Sequence, residues 1–523
     1  MRMGRPGRRG WAAIAGVCVL LALALLMRLD GITGPPIGIS ETLTIRQYHS
    51  ALLARSYYVR SQSSAPAWQR QVAQVIGREQ PPIEPPLMEH VAAVAYRLAG
   101  GEKLWIPRLL SSLFWLAGGL AVYRLARRIA SSAGSLVSLA VYLFLPFSVH
   151  ASRSFQPDPL MVALICAGAL AIVRYHERPG VQRLLVSSAV AGAAGFVKPP
   201  VALFFLVPVF ASLAASAHGW KRSLRHRELW AFVTLATLPS IAYYAYSVLV
   251  TTYLAGDVSE KLQPSLWFQS SYWRGWGDKL TGIVALHQGP IAVPSALVIL
   301  LAAAVGVALV RGRGRAMLLG LWTGYVLFGL AFTAHIYTHD YYSLPLVPIV
   351  ALSLAPAATR LLDWVRGWPA PARLVAALAA CAAVPLAFLA AHNGLASVTY
   401  RNQAAEYARI GVIVHHSPSV VVLSGDLGLA VEYEGWFGGR FWPLRASQGL
   451  NGIPASARFT QRDEHRYYPA VAGMRPPAQY FVVTVLPELR GQPDLERYLR
   501  RFRVVASNDQ FVVYDLRRSR QSS

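Results

Sequence analysis

Eleven apolar runs divide the first 392 residues, and short loops that are alternately rich and poor in arginine separate them. The runs are 11–29, 105–123, 133–149, 159–174, 184–197, 201–217, 230–250, 290–310, 316–334, 343–360 and 374–392. A bilayer core takes about 20 apolar residues per helix. In hydrocarbon, helices satisfy their own backbone polar groups. The pattern therefore predicts an all-α polytopic membrane bundle of about eleven transmembrane helices. Composition agrees: 54% of the 523 residues are hydrophobic and 14% are charged, against about 25% charged in soluble domains.

The charge distribution gives an orientation. Arg2, Arg5, Arg8 and Arg9 precede the first run, and arginine clusters recur at 124–128, 174–183, 222–227, 311–315 and 360–373. The intervening connections 150–158, 198–200 and 335–342 are poor in Lys and Arg. The positive-inside rule then puts the N-terminus in the cytoplasm and the C-terminus outside. The first run reads as an uncleaved span rather than a secretory signal, because it is long and has no small-x-small cleavage site. The net charge is +25, from 45 Arg and 5 Lys against 25 acids, and much of the excess lies in these loops. It is a topology signal, and nucleic acid is not an expected partner. Cys18, Cys166 and Cys381 each lie in an apolar run and read as small core residues.

Three regions fall on the predicted outer side. Residues 30–104 form a long first loop with interfacial helices, expected at 42–58 and 87–98. Leu43, Ile45, Ala51 and Leu52 are available to the membrane side of the first. Residues 251–289 carry Trp267, Tyr272, Trp273 and Trp276, read as interfacial aromatics. The tail 393–523 has strand-like runs at 419–424, 480–485, 503–506 and 510–516, and helix-like stretches at 403–413 and 494–501. It reads as a small extracytoplasmic α/β domain. The domain division is 1–392 and 393–523.

Polar residues gather on that same rim: Arg46, Gln47, His49 and Arg55 in the first loop, Glu84 in PPIEPP, Arg153 and Asp158 in SRSFQPDP, Lys198 in FVKPP, and His335, His339, Asp340, Tyr341 and Tyr342 in AHIYTHDYYSLP. Each has a plainer reading. Arg153 and Lys198 suit snorkelling ends of spans, and Asp158 suits a helix N-terminus. Glu84 suits a solvated loop, His339 and Asp340 a surface pair, and Arg46 and Gln47 the wet face of a helix. Together, however, carboxylates and cations alternate around one membrane face.

A sugar carried on a polyprenyl phosphate needs such a rim. Its lipid lies in the bilayer and its phosphate at the interface. Arg or Lys stabilises the phosphate as it leaves, and a carboxylate takes the acceptor's proton. No nucleotide loop is needed, and no P-loop or strand-linked GxGxxG occurs. HExxH and paired CxxC are absent too, so no dedicated metal cage is expected. A lipid-linked-sugar transporter or flippase is a second class, but it calls for charges within the spans, and none falls at a span's middle. A non-catalytic membrane partner or sensor, binding through its tail, is a third. It would make Glu84 and Asp158 dispensable.

At these residues the chain resembles the GT-C superfamily of membrane glycosyltransferases. Within it, the chain is most similar to the family 39-like proteins related to protein O-mannosyltransferases and the lipid A aminoarabinose transferase. The resemblance rests on ordered elements across about 40–350. They are Arg46-Gln47 through Ala54-Arg55, Glu84-Pro85-Pro86-Leu87, Gly101 to Arg108-Leu109 and Ser111, Ser152-Arg153 to Pro157-Asp158, Lys198-Pro199-Pro200, and His339 to Tyr342 with Pro345 and Pro348. It implies transfer of a sugar from a polyprenyl-phosphate donor to a hydroxyl of a cell-envelope acceptor. The reaction would be an inverting single displacement at the outer face of a bacterial plasma membrane. Membrane lipids, donor and acceptor are the implied partners.

For Arg46, Gln47, His49, Arg55, Arg153, Lys198, His339, Asp340 and Tyr341 the resemblance implies lipid-phosphate or sugar contact. In the superfamily a divalent metal ion sometimes helps bind the phosphate, and this sequence neither demands nor excludes one. One element departs from the pattern. Better-known members carry an acid where Arg46-Gln47 stands, so the base must be another group. Glu84 and Asp158 are the leading catalytic candidates, with Glu41 and His49 behind them.

Overall fold

A computed structural model describes residues 8–35, 41–250, 261–286, 292–375, 389, 392, 401–442, 444–445 and 477–519. The chain forms two compact units. One comprises Met1–Ile32, Ile83–Leu87 and Pro107–Ser397; the other comprises Thr33–Pro82, Met88–Ile106 and Val398–Ser523.

The first unit is a helical membrane bundle. Among the described residues, seven helices are long and apolar enough to cross a bilayer: Gly10–Leu29, Trp105–Ala126, Asp158–Glu177, Arg227–Leu249, Ala292–Leu309, Gly312–Ala331 and Asp340–Arg366. A bent pair, Ser132–Phe144 with Pro146–Ser152, makes an eighth. Val181–Val197 and Leu203–His218 are apolar but shorter than the other spans. Ten of the eleven expected runs thus correspond to helices, though seven or eight meet the full length. The eleventh, 374–392, lies almost wholly outside the described residues, as does Cys381. Leu297, Val298, Leu301 and Val305 of the Ala292–Leu309 helix are exposed. An apolar face turned outward suits a lipid solvent.

The bend in the third run has a local cause. Pro146 has no N–H, so the carbonyl of Tyr142 loses its helical partner. Ser148 Oγ and Trp115 Nε1 donate to it at 3.1 and 3.3 Å. Arg28, fully buried near the end of the first span, donates from Nη2 to Leu143 O at 2.9 Å and from Nε to Ser152 Oγ at 2.7 Å. One side chain thus ties the first span to both arms of the 59° bend. Elsewhere, glycine allows close packing. A Cβ on Gly320 would lie 2.8 Å from Val209 Cα, and one on Gly324 would lie 2.9 Å from Phe205 Cα. This small-xxx-small pair lets Gly312–Ala331 and Leu203–His218 pack backbone to backbone.

The two loop aromatics Tyr272 and Trp276 are buried in this unit rather than placed at an interface. Tyr272 OH donates to Gly329 O at 2.9 Å, and Trp276 Nε1 to Tyr325 OH at 3.1 Å. Trp267 and Trp273 are exposed.

The second unit holds a five-stranded sheet in the order β2-β1-β3-β5-β4. The strands are β1 (Val420–Leu423), β2 (Gly439–Phe441), β3 (Tyr480–Val483), β4 (Phe502–Ser507) and β5 (Val512–Ser519). β1 pairs parallel with β2 and β3, β3 antiparallel with β5, and β5 antiparallel with β4. The central strands β1 and β3 are buried throughout. Their unbroken apolar sequences reflect cover on both faces. One core joins Val421, Leu423, Phe481 and Val483 to Leu489, Leu495 and Leu499. Four strands lie where the sequence predicts them; β2, a Gly-Arg-Phe triplet, is too short to signal itself.

The same unit contains the helices Glu41–Arg60 and Ala67–Glu79. Leu43, Ala51 and Leu52 of the first are wholly buried, so they are core residues rather than membrane contacts. In Leu87–Leu98, by contrast, Leu87, Val91, Val94 and Leu98 are exposed and Ala92, Ala93 and Tyr96 are buried. An exposed apolar stripe at this spacing suits an interfacial helix.

Candidate functional site

Within the membrane unit, the structure brings Lys198 to the centre of a polar cluster. Lys198 ends the Val181–Val197 helix, in a turn closed by Val201 N donating to Lys198 O at 2.9 Å. Its ammonium lies 2.8 Å from Asp158 Oδ1 and 3.9 Å from Glu84 Oε1. It also stands 4.7 Å from the ring centre of Tyr341 and 4.3 Å from that of Tyr342. Lys198, Asp158 and Glu84 are all buried. Two carboxylates and two aromatic faces therefore offset the cost of burying one ammonium.

Each side chain is placed by its backbone. Asp158 opens the Asp158–Glu177 helix, whose N-terminal dipole favours a negative charge. Glu84 sits between prolines, in a bend at Ile83 and Glu84 just before the Leu87–Leu98 helix, rather than in the extended backbone that the prolines suggest. Tyr341 and Tyr342 lie in a 3₁₀ turn, Asp340–Ser343, in which Asp340 Oδ1 accepts the N–H of Tyr341 at 2.8 Å.

The aromatic side of the cluster continues through histidines. His335 lies 5.0 Å from Tyr342 and 5.2 Å from His339, ring centre to centre. His339 Nδ1 is 2.7 Å from Thr338 Oγ1. Burial, reinforced by His339, Lys261 and Lys198, pulls His335 down to about 3. His335 is therefore neutral at ordinary pH. Its Nδ1 has no hydrogen-bond partner among the described residues. His335 and Tyr342, which the stretch AHIYTHDYYSLP places on the same rim as His339, Asp340 and Tyr341, thus join the site.

Arg153 is buried at the end of the Pro146–Ser152 helix. Its Nε and Nη1 have no hydrogen-bond partner among the described residues. Burial draws its guanidinium down to about 10, against the pull of Asp30. It remains a cation with donors to spare.

The first-loop candidates belong to the other unit. Arg46 Nη1 is 3.3 Å from His49 Nδ1, and His49 Nε2 is 3.1 Å from Pro81 O. Gln47 is completely buried. Arg55 is engaged as a clamp. Its Nε donates to Glu102 Oε2 at 2.9 Å, its Nη1 to Tyr433 O at 2.5 Å, and its guanidinium stacks 3.8 Å from the ring centres of both Tyr433 and Trp436.

Nearby, Glu432 accepts from Gly439 N at 3.2 Å and from Gln80 Nε2 at 3.1 Å. Burial pushes its carboxyl up to about 8. Among the described residues no group of three or more His, Cys, Asp or Glu is placed to hold a metal ion.

The helical bundle and the small sheet make a fold like that of ArnT. More particularly, residues 83–246, which contain Glu84, Arg153, Asp158 and Lys198, match the family of dolichyl-phosphate-mannose-protein mannosyltransferases. The structure of ArnT from Cupriavidus metallidurans bound to undecaprenyl phosphate is similar at a TM-score of 0.59 and 14% identity, covering 97% of this chain and 98% of that one. The archaeal oligosaccharyltransferase AglB from Archaeoglobus fulgidus, in complex with an inhibitory peptide and a dolichol-phosphate, is similar at a TM-score of 0.57 and 11% identity. That match covers 95% of this chain and 73% of AglB. No curated protein sequence matches the chain.

Proposed function

We propose that this protein is a glycosyltransferase that moves a sugar from a polyprenyl-phosphate donor to a hydroxyl of a cell-envelope acceptor. The observation that carries this reading is the buried Lys198 held by Asp158, Glu84 and two tyrosine faces. A buried ammonium is suited to a ligand whose own negative charge grows during reaction, and a proton passed from the acceptor to one of its two acids lessens their opposing charge in the same step. The family match, which covers Glu84, Asp158 and Lys198, supports it, as does the undecaprenyl phosphate bound in the structurally similar ArnT.

In the proposed step the acceptor oxygen attacks the anomeric carbon, and the bond from that carbon to the phosphate oxygen breaks. The acceptor proton passes to a carboxylate, and the polyprenyl phosphate leaves with its negative charge. Lys198 and the unpartnered donors of Arg153 are assigned to that phosphate. Asp158, at the shorter distance, positions the ammonium, and Glu84 is assigned as the base. His339, Asp340 and Tyr341 are assigned to the sugar and its phosphate. Arg46, Gln47 and His49 are proposed as contacts of the sugar or acceptor, whereas Arg55 serves the fold of its unit.

A single displacement inverts the anomeric centre. The proposed step is assigned to side chains alone; a divalent ion bound with the phosphate would add positive charge beside it. The alternation of arginine-rich loops supports a cytoplasmic N-terminus and a reaction at the outer face of a bacterial plasma membrane.

The test is transfer of radiolabelled polyprenyl-phosphate sugars by membranes carrying the parent, Glu84→Gln or Asp158→Asn. Loss of the base is expected to lower the rate by about 10²–10⁴. Parental rates in both variants would remove the site assignment. No transfer by the parent from any donor would return the chain to the transporter or binding-protein readings.

A further inference from the structure

The second unit contains two adjoining cavities, of about 510 and 270 Å³. The larger lies within the range of small-molecule sites, roughly 300–1,000 Å³. Both are lined by Gln403, Tyr407, Thr484 and Val485. Their position follows from the sheet. From β1 the chain goes first to β2 on one side and later to β3 on the other, so the topology reverses between β1 and β3. The carboxyl end of β1 leads into Ser424-Gly425-Asp426, and that of β3 into Thr484-Val485. Gly425, Asp426, Thr484 and Val485 line the smaller cavity. Open sheets with parallel strands bind ligands in this crevice, outside the carboxyl ends at a topological switch.

The floor is a polar network. Thr484 Oγ1 donates to Ser424 Oγ at 2.7 Å, and Gln403 Nε2 donates to Tyr407 OH at 2.6 Å. Each of these groups has further donor or acceptor capacity. The loop after β1 holds Asp426 and Leu427 at φ of 37° and 56°, a strained conformation for residues other than glycine. The charge of the crevice opposes that of the chain. Among the described lining residues, Glu406, Asp426 and Asp509 are acidic and Arg490 is basic, in a protein of net charge +25. Such a site repels phosphate and accepts hydrogen bonds from hydroxyl or ammonium groups. The rings of Tyr48, Tyr407 and Phe511 add flat apolar surface.

We propose that this crevice binds a neutral or amino-bearing sugar unit, the glycan portion of the acceptor. Its existence as a site rests on the sheet and the cavities; its assignment to the acceptor rests on the proposed transfer reaction.

The test measures binding without any donor, so it is separate from transfer. Full-length protein in nanodiscs is titrated with a panel of neutral and amino disaccharides, with a basic tripeptide as the competing class. Gln403→Leu removes a polar contact of the floor, and Gln510→Trp fills the mouth from an exposed position without touching the core. At least one disaccharide is expected to bind, with affinity falling about tenfold or more in each variant. Binding to no sugar in the panel, binding unchanged in both variants, or tighter binding of the peptide would each overturn the proposal. Sugar binding that survives in Glu84→Gln while transfer is lost keeps the two readings apart. A parent that binds sugar but transfers from no donor would sink the enzyme reading alone.

Discussion

The Nζ of Lys198 stands 2.8 Å from Oδ1 of Asp158, and both side chains are shut off from solvent. The two belong to the ends of successive helices, and Glu84 approaches the same ammonium at 3.9 Å. The cluster carries two acids and one base, so it tolerates loss of one acid better than loss of the base.

That asymmetry is measurable. Removing one partner of a buried ion pair costs about 3–5 kcal/mol, whereas replacing both is often near neutral. Lys198→Met is expected to lower the thermal midpoint of the detergent-purified chain more than Asp158→Asn, because it leaves two carboxylates together. The double variant is expected to recover part of the loss. A double variant as unstable as the two single losses added would show that the side chains are not coupled.

The helix pair built on glycine gives a second expectation. A Cβ on Gly324 would lie 2.5 Å from Phe204 O, with backbone that cannot yield cheaply. Gly324→Val is expected to destabilise by more than the ~1–3 kcal/mol usual for overpacking. Gly282 has nothing within 4 Å of its added Cβ, so Gly282→Ala is expected to be neutral or mildly stabilising. Midpoints of unfolding for the two variants distinguish a packing constraint from a general dislike of added side chains.

Glu432 predicts a pH dependence. Its carboxyl rises from an ordinary 4.5 to about 8 because burial disfavours the charge. Between these values the folded state holds a proton that the unfolded state has released. Stability from this group is therefore full below about 4.5 and is lost as pH rises through about 8. Glu432→Gln is expected to flatten the fall in thermal midpoint across that window, by an amount equivalent to roughly a few kcal/mol. Parallel curves for parent and variant would contradict the assignment.

Arg55 tests a planar clamp. Its two stacked rings, its salt bridge to Glu102 and its bond to Tyr433 O all use the flat guanidinium. Lysine keeps the charge and loses that geometry. Arg55→Lys is expected to cost about 1–3 kcal/mol, seen as faster hydrogen exchange in Glu41–Arg60. The exposed Arg60→Lys is the control, with no change expected.

Periodicity and charge carried far in this chain. Long apolar runs have few structural solutions in lipid, so the bundle was legible without coordinates. Val420–Leu423 and Tyr480–Val483 were legible as strands because buried parallel strands are apolar along their whole length. The three-residue β2 and the burial of Tyr272 and Trp276 were not, since neither leaves a local pattern. Among the site candidates, the sequence named Glu84, Asp158, Lys198 and Tyr341 but carried no sign that Lys198 would sit among the other three. It offered Arg55 for the ligand, whereas packing gave it to Tyr433 and Trp436.

Hydropathy and charge act residue by residue, so they mark the segments apolar enough for a bilayer and the polar residues at their ends. Tertiary structure alone decided which of those ends meet. Lys198 finds Asp158 forty residues away, and Glu84 more than a hundred, through helix packing that depends on shape and close approach and that no local pattern records.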